Sequence, residues 1–205
     1  VATKIKVKLD KVYNPFIKAK LNGKTHTFLL DFGFGGFLSL TEKSGENLKT
    51  DNVVEIIGEG ATSANGILNE STFIKHIEKF SIGKQNLLNK FTYYSKSNNY
   101  NLIGSEITKY FIVTLNFEKK VLYLKPIKTT QEQQVRELNS FGFSLNKNKQ
   151  NIYVNKIFEG GSADQSNLKL NDIIVSINGK DFANKAYCDF YNYSTGILNK
   201  DEDIV

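Results

Sequence analysis

The segment Thr27-Phe28-Leu29-Leu30-Asp31-Phe32-Gly33-Phe34-Gly35-Gly36 carries an acidic residue out of an apolar run and into a turn rich in glycine. The run predicts a buried strand, and the glycines predict a sharp turn after it. Moving a carboxylate out of water is costly unless a partner shares its charge or its proton. Asp31 is therefore placed for chemistry, and the segment requires a second acid. No second Asp-x-Gly occurs in the 205 residues.

Three other interpretations of this segment were weighed. Asp-Phe-Gly is also the metal-binding motif of protein kinases, but kinases require a His-Arg-Asp loop, and neither His26 nor His76 is followed by Arg. A phosphate-binding loop at residues 33–36 is disfavoured because no Lys-Ser or Lys-Thr follows and Asp31 would repel the anion. The third alternative stays open: Asp31 could simply accept hydrogen bonds from the backbone of its own turn.

The composition indicates a folded protein, because 40% hydrophobic and 12% aromatic residues suffice to fill a core. No run approaches the roughly 20 apolar residues that cross a bilayer, so no membrane span is expected. The lone Cys188 cannot form an internal disulfide, and no Cys or His spacing suits a metal, so neither metal nor cofactor is expected. The absence of Met predicts a longer precursor; if a leader was removed, a periplasmic or secreted location follows, and otherwise the sequence does not indicate the compartment.

The net charge of +6 arises in the first part of the chain, where residues 1–127 contain 18 Lys against 11 acidic residues. These lysines alternate with apolar residues, as in residues 4–9, which is typical of the solvent face of strands. Arg136 is the single Arg of the chain. Proteins that recognise specific bases or phosphates generally do so through Arg side chains. No nucleic-acid partner is expected, and that class would be favoured only by a contiguous lysine face away from Asp31.

Hydrophobic patterning divides the chain into two parts. Residues 1–127 are rich in predicted strands and contain one predicted short helix, at residues 105–110 with Ser105 as its N-cap, followed by a hairpin at residues 111–124. Residues 128–138 are polar and predict a linker. The remaining residues, 139–205, predict a second small fold with a helix at about residues 186–193.

By its motifs, the first part resembles the retropepsin-like aspartic peptidases. The resemblance rests on the Asp-x-Gly turn after an apolar run, a glycine-rich hairpin at about residues 57–67, and an apolar-apolar-Gly element before the short helix. It implies an all-β domain, a closed barrel with one short helix. It further implies a set of roles: catalytic Asp31; an Asp loop with Phe32 and Gly33; a flap with Gly58, Glu59, Gly60, Ala61 and Gly66; and loop support from Leu102, Ile103 and Gly104.

The resemblance also supplies the missing acid. Aspartic peptidases use two carboxylates about 3 Å apart that share one proton, one acting as base on water and the other as acid. A chain with one Asp-x-Gly can complete this pair across a two-fold axis, which predicts a homodimer for activity. The alternative for the hairpin is an ordinary surface hairpin with a long loop.

Phe32 is the main departure from the family pattern, which has Thr or Ser at this position. In the family that hydroxyl ties the two Asp loops together across the dimer axis, and a Phe ring can neither donate nor accept such a hydrogen bond. Either the pair is held by other contacts, or the site has lost activity and the fold binds without cutting.

The second part resembles the PDZ domains associated with bacterial peptidases, through residues 154–179. Where such domains have Gly, this chain has Asn167 and Asn171, and Asn is the commonest substitute in left-handed backbone. The resemblance implies a small α+β domain, truncated at its C-terminus, that binds an extended peptide beside a sheet edge. Its peptide-binding loop would be Phe141, Gly142 and Phe143, although both aromatic rings could equally be core.

Together these features predict an aspartic-type endopeptidase with a PDZ module that binds a peptide or protein substrate. The alternative is a catalytically impaired peptide-binding protein with the same two folds, because Phe32 replaces the usual Thr or Ser.

Overall fold

The computed structural model describes most of the chain, namely residues 2–50, 53–63, 66–127, 141–181 and 186–198. Contacts between residues divide the protein into two compact units. The first comprises Val1–Val53 and Phe73–Arg136, and the second comprises Val54–Thr72 and Glu137–Val205. The predicted linker, residues 128–138, lies outside the described residues.

Strands dominate both units. In chain order they are β1 (Thr3–Lys6), β2 (Lys8–Leu9), β3 (Pro15–Leu21), β4 (Lys24–Leu30), β5 (Leu38–Thr41), β6 (Val53–Ser63), β7 (Gly66–Asn69), β8 (Thr72–Ile82), β9 (Gln85–Ser95), β10 (Asn101–Ile103), β11 (Phe111–Asn116), β12 (Val121–Pro126), β13 (Phe143–Lys147), β14 (Ile152–Phe158), β15 (Ile173–Ile174), β16 (Ser176–Ile177) and β17 (Lys180–Asp181). The helices are α1 (Glu42–Glu46), a 3₁₀ helix (Ser105–Lys109), α2 (Ser162–Gln165) and α3 (Tyr187–Leu198).

Six strands of the first unit close into a barrel in the order β3, β4, β10, β5, β9 and β8. Antiparallel pairing of β8 with β3 closes the circle, with Leu21 opposite Phe80. The β4–β10 and β5–β9 pairs are parallel, and the other pairs are antiparallel. A separate sheet orders β1, β12 and β11.

Alternation along the strands fills the barrel with apolar side chains. Phe28 and Phe80 are fully buried and meet edge to face, with ring centroids 5.9 Å apart. Phe37 packs on Phe80 in the same way at 5.2 Å. Burial of this cluster, which also includes Leu38 and Ile103, is the main stabilising contribution to the unit.

In the second unit, β14 is the central strand. It pairs with β13 on one edge, and with β15 and β6 on the other. β6 continues into a hairpin with β7. The small core contains Ile152, Ile177 and Phe190.

The fold class predicted from sequence is confirmed: an all-β first unit with a closed barrel, followed by a small α+β unit. Asn167 and Asn171 have φ of 61° and 70°, as predicted for left-handed positions. No helix in the described part of the chain has the length and hydropathy to span a membrane.

Three details differ from the predictions. Ser105 is not an N-cap: Gly104 takes that position, and the Ser105 hydroxyl donates to the Phe34 carbonyl (3.2 Å). The first unit has an additional helix, α1, whose N-cap Thr41 accepts from the Ser44 N–H. Helix α3 extends to Leu198, beyond the predicted end near residue 193.

Candidate active site and peptide-binding elements

Asp31 follows directly after β4, at the point where the strand enters the glycine turn. Its backbone N–H donates to the Ile103 carbonyl (3.0 Å), and its carbonyl accepts from the Phe34 N–H (3.1 Å). The Gly33 N–H donates to Asp31 Oδ1 (2.9 Å), which orients the half-buried carboxylate. Within the described residues, no other group donates to this carboxylate. One oxygen is thus held by the turn, and the other is available to a ligand or a second subunit.

The Leu102-Ile103-Gly104 element lies against the Asp31 loop. Leu102 and Ile103 pair in parallel with β4 on one side and antiparallel with β5 on the other. Gly104 then donates its N–H to the Phe37 carbonyl (2.9 Å). A methyl group on Gly104 would meet the carbonyl oxygens of Gly36 and Phe34, so only glycine permits this approach. The element thereby fixes both ends of the turn that carries Asp31.

Phe32 and Gly33 are both exposed, and the Phe32 side chain is 44% accessible. The exposed Phe32 ring is apolar and therefore places an apolar surface beside the Asp31 carboxylate. Within the described residues, the Phe32 ring packs against no other aromatic ring.

The residues assigned to the flap lie on the β6–β7 hairpin. Gly58, Glu59, Gly60 and Ala61 belong to β6, and Gly66 begins β7. Glu59 pairs with Asn69, and Ser63 with Gly66, with an irregularity in the register between them. The turn itself, residues 64–65, lies outside the described residues.

Glu59 accepts hydrogen bonds from three side chains of the second unit. Tyr153 donates its hydroxyl to Oε1 (2.7 Å), while Asn155 and Asn146 donate their amides to Oε2 (2.9 and 3.0 Å). Partial burial raises the pKa of Glu59, but these three bonds and the nearby positive charge of Lys156 together hold it below its usual value. Burial in turn lowers the pKa of Lys156, and Glu59 partly offsets that effect.

A β-bulge places Asn155 in this cluster. Ser144 opposes Lys156 and Leu145 opposes Val154, which leaves Asn155 as the extra residue of β14. The Ser144 hydroxyl donates to Asn155 Oδ1 (2.7 Å), so the amide nitrogen is left to donate to Glu59. The sequence pattern assigned Glu59 to the flap but did not identify the residues that donate hydrogen bonds to it. The available signal was that Tyr153 and Asn155 alternate with the apolar residues Ile152 and Val154.

Phe141, Gly142 and Phe143 form the turn that enters β13. The Phe141 carbonyl accepts from the Ser162 hydroxyl (2.8 Å) and the Ala163 N–H (3.2 Å) at the start of α2, and Gly142 has φ of 81°. Both Phe side chains are half-buried. Within the described residues, β14 is the one strand that pairs with β13.

Comparison with known families gives a match in the C-terminal part of the chain. Residues 129–189 match the family model of the PDZ domain. The predicted PDZ domain is confirmed. The matched residues contain β13 and the first three residues of α3. PDZ domains in general bind extended peptides.

The first unit has a structural counterpart among solved proteins. A retropepsin-like aspartic protease from Rickettsia conorii matches over 60% of this chain and 91% of its own, with a TM-score of 0.45 and 16% identity. This match concerns the fold, and it covers the N-terminal part of the chain. No curated protein gives a significant match.

Proposed function

We propose that the protein is an aspartic-type endopeptidase in which Asp31 from each of two subunits forms the catalytic pair. The observation that carries this proposal is the Asp31 turn. The Gly33 N–H orients the carboxylate, and Leu102-Ile103-Gly104 supports the backbone of the turn. Within the described residues, the second carboxylate oxygen accepts no hydrogen bond. The alternative role, a carboxylate that only stabilises its own turn, would use the first oxygen and assign no role to the second.

In the proposed pair, the two carboxylates share one proton. The ionised carboxylate takes a proton from a water molecule, whose oxygen attacks the peptide carbonyl carbon. The protonated carboxyl group donates to the carbonyl oxygen, which gives a tetrahedral diol. Transfer of a proton to the amide nitrogen then breaks the C–N bond and releases an amine and a carboxylic acid. The flap hairpin would cover the substrate, and the PDZ domain would bind polypeptide at the β13 edge.

The dimer requirement gives a direct test. A diverse peptide mixture is incubated with the purified protein between about pH 4 and 7, and cleavage is followed by mass spectrometry. Because the catalytic pair forms only in the dimer, cleavage per subunit is expected to rise with protein concentration until dimerisation saturates. Sedimentation over the same concentrations supplies the dimer fraction. Absence of cleavage in samples that are fully dimeric would contradict the proposal.

Phe32 supports a second candidate, a peptide-binding protein with an impaired catalytic site. If the missing hydroxyl limits catalysis, Phe32→Thr should raise the rate of cleavage by about tenfold, the equivalent of one net hydrogen bond across the dimer axis. The control is Phe117→Thr, which replaces a Phe of similar exposure (50%) in the turn between β11 and β12. An inactive wild type together with an active Phe32→Thr variant would favour the impaired peptide-binding protein.

A further inference from the structure

The β6–β7 hairpin is built into the PDZ sheet. Gly58, Ile57 and Ile56 of β6 pair with Lys156, Ile157 and Phe158 of β14. The ladder continues one step further, where the Glu159 N–H donates to the Glu55 carbonyl (2.8 Å). β13 occupies the opposite edge of β14, so β13 and the hairpin lie on opposite sides of this strand.

The contact at Gly58 is close enough to require glycine. Gly58 has φ of 120°, and a side chain there would meet the Asn155 carbonyl oxygen and approach Leu170 Cδ2 to 2.9 Å. Backbone in this conformation is strained for any residue with a Cβ atom. β6 therefore approaches the bulged part of β14 so closely that only glycine is accommodated at position 58.

The Glu59 cluster lies on the face of β14 opposite the core. Ile152 and Val154 point into the PDZ core, and after the bulge Ile157 does so. Tyr153 and Asn155, at the alternate positions, point to the other face, where they donate to Glu59. The cluster therefore adds nothing to the hydrophobic core. Its effect is to hold the hairpin to the sheet through charge-assisted hydrogen bonds, which are stronger than neutral ones.

We propose that Glu59 is a positioning residue through which the PDZ domain holds the β6–β7 hairpin, so that hairpin and PDZ domain move as one body. Insofar as this hairpin is the flap, which rests on the proposed function, the PDZ domain sets where the flap lies over the substrate.

Hydrogen–deuterium exchange of the protein tests the positioning role without reference to activity. Glu59→Ala removes the acceptor of all three bonds, so exchange over residues 54–60 should accelerate by about tenfold. Tyr153→Phe removes one donor and should give a smaller acceleration. Glu59→Gln retains an acceptor oxygen and should fall between wild type and Glu59→Ala. The double variant Glu59→Ala with Tyr153→Phe should match Glu59→Ala alone, because both changes remove the same contact.

The controls make the same chemical changes elsewhere. Glu78→Ala and Tyr13→Phe alter exposed side chains of β8 and of the turn before β3, and should leave exchange over residues 54–60 unchanged. Exchange over β13 and β14 serves as an internal reference. Equal acceleration of β13 and the hairpin would mean that the cluster only stabilises the PDZ domain, and would overturn the proposal. Unchanged hairpin exchange in Glu59→Ala would overturn it as well.

Cleavage kinetics supply the second readout. If the protein is active, Tyr153→Phe should raise KM several-fold and change kcat less, because a loosened flap weakens substrate retention. If no variant and no wild-type sample cleaves peptides, the proposed function fails while the exchange result still decides whether Glu59 positions the hairpin.

Discussion

Replacing Asp31 by Asn is expected to reduce peptide cleavage roughly a thousandfold while leaving the fold intact. The amide oxygen can still accept the Gly33 N–H, so the turn keeps its orienting hydrogen bond. What is lost is the exchangeable proton that the catalytic pair must share, because an amide neither ionises nor donates as an acid. The measurement is initial rate on a cleaved peptide, with sedimentation to verify that the variant still dimerises.

Mixing the variant with wild type tests whether the pair spans two subunits. After re-equilibration of equal amounts, about one quarter of the dimers would contain two intact carboxylates. Activity should therefore fall to about one quarter of that of an all-wild-type sample at equal total concentration, against about one half if each subunit worked alone. A value of one half would contradict the shared pair.

Asp10→Asn is the matched control. Asp10 is also a turn carboxylate in the first unit, where its Oδ1 accepts from the N–H groups of Val12 and Asn14 (2.9 and 2.8 Å). The same chemical change there should leave cleavage unaltered. Equal loss in both variants would point to damage of the fold rather than of the catalytic pair.

Gly104→Ala is expected to give the largest loss of stability. Its methyl group would lie 2.5 Å from the Phe34 carbonyl oxygen and collide with that of Gly36, and both obstacles are backbone. Overpacking of this kind costs about 3 kcal/mol when no side chain can move aside. The midpoint of thermal unfolding should fall by roughly 8 °C, and cleavage should fall with it because the Asp31 turn is displaced.

Gly35→Ala provides a control within the same turn. No heavy atom lies within 4 Å of the position that its methyl group would occupy, and its φ is not in the left-handed region. Its stability should stay within about 0.5 kcal/mol of wild type. If Gly104→Ala were equally harmless, the close approach of residues 34–36 to Gly104 would not exist in solution.

The strand before Asp31 and the acidic turn can be predicted from sequence because local pattern determines them. The closed barrel was predicted from the family resemblance. The apolar run before Asp31 predicts β4, and the glycines after it predict the turn. The position of Leu102-Ile103-Gly104 beside that turn was predicted from the family resemblance rather than from any local rule, since Asp31 and Ile103 are distant in sequence and meet there. The shared proton and the dimer are still predictions.

Lys75 illustrates why other features escaped prediction. Alternation assigned the lysines to the solvent, and Lys4 and Lys6 of β1 do lie there. Lys75 is only 7% exposed, and its Nζ donates to the carbonyls of Gly45 and Leu48 (2.9 and 3.1 Å). These hydrogen bonds satisfy backbone carbonyl groups at the C-terminal end of α1. The helix itself is hard to predict because Ser44 and Gly45 have low helix propensity. Burial of a charge depends on acceptors distant in sequence, which composition does not reveal.

The Glu59 cluster escaped prediction for a similar reason. Each residue is an ordinary polar residue of a strand, and its role arises only when β6 pairs with β14. The bulge at Asn155, which directs that side chain towards Glu59, has no strong sequence signal because Asn is accepted in many irregular positions.

The pairing of β6 with β14 also has a consequence for biosynthesis. Glu59 and Asn155 are 96 residues apart, so a ribosome producing about 5–20 residues per second makes the hairpin several seconds or more before its partner strand. During that interval β6 presents an unpaired strand edge to the cell, and contacts between such distant residues form slowly. An unpaired strand edge of this kind favours aggregation, so the nascent chain is exposed to that risk between synthesis of the hairpin and synthesis of β14.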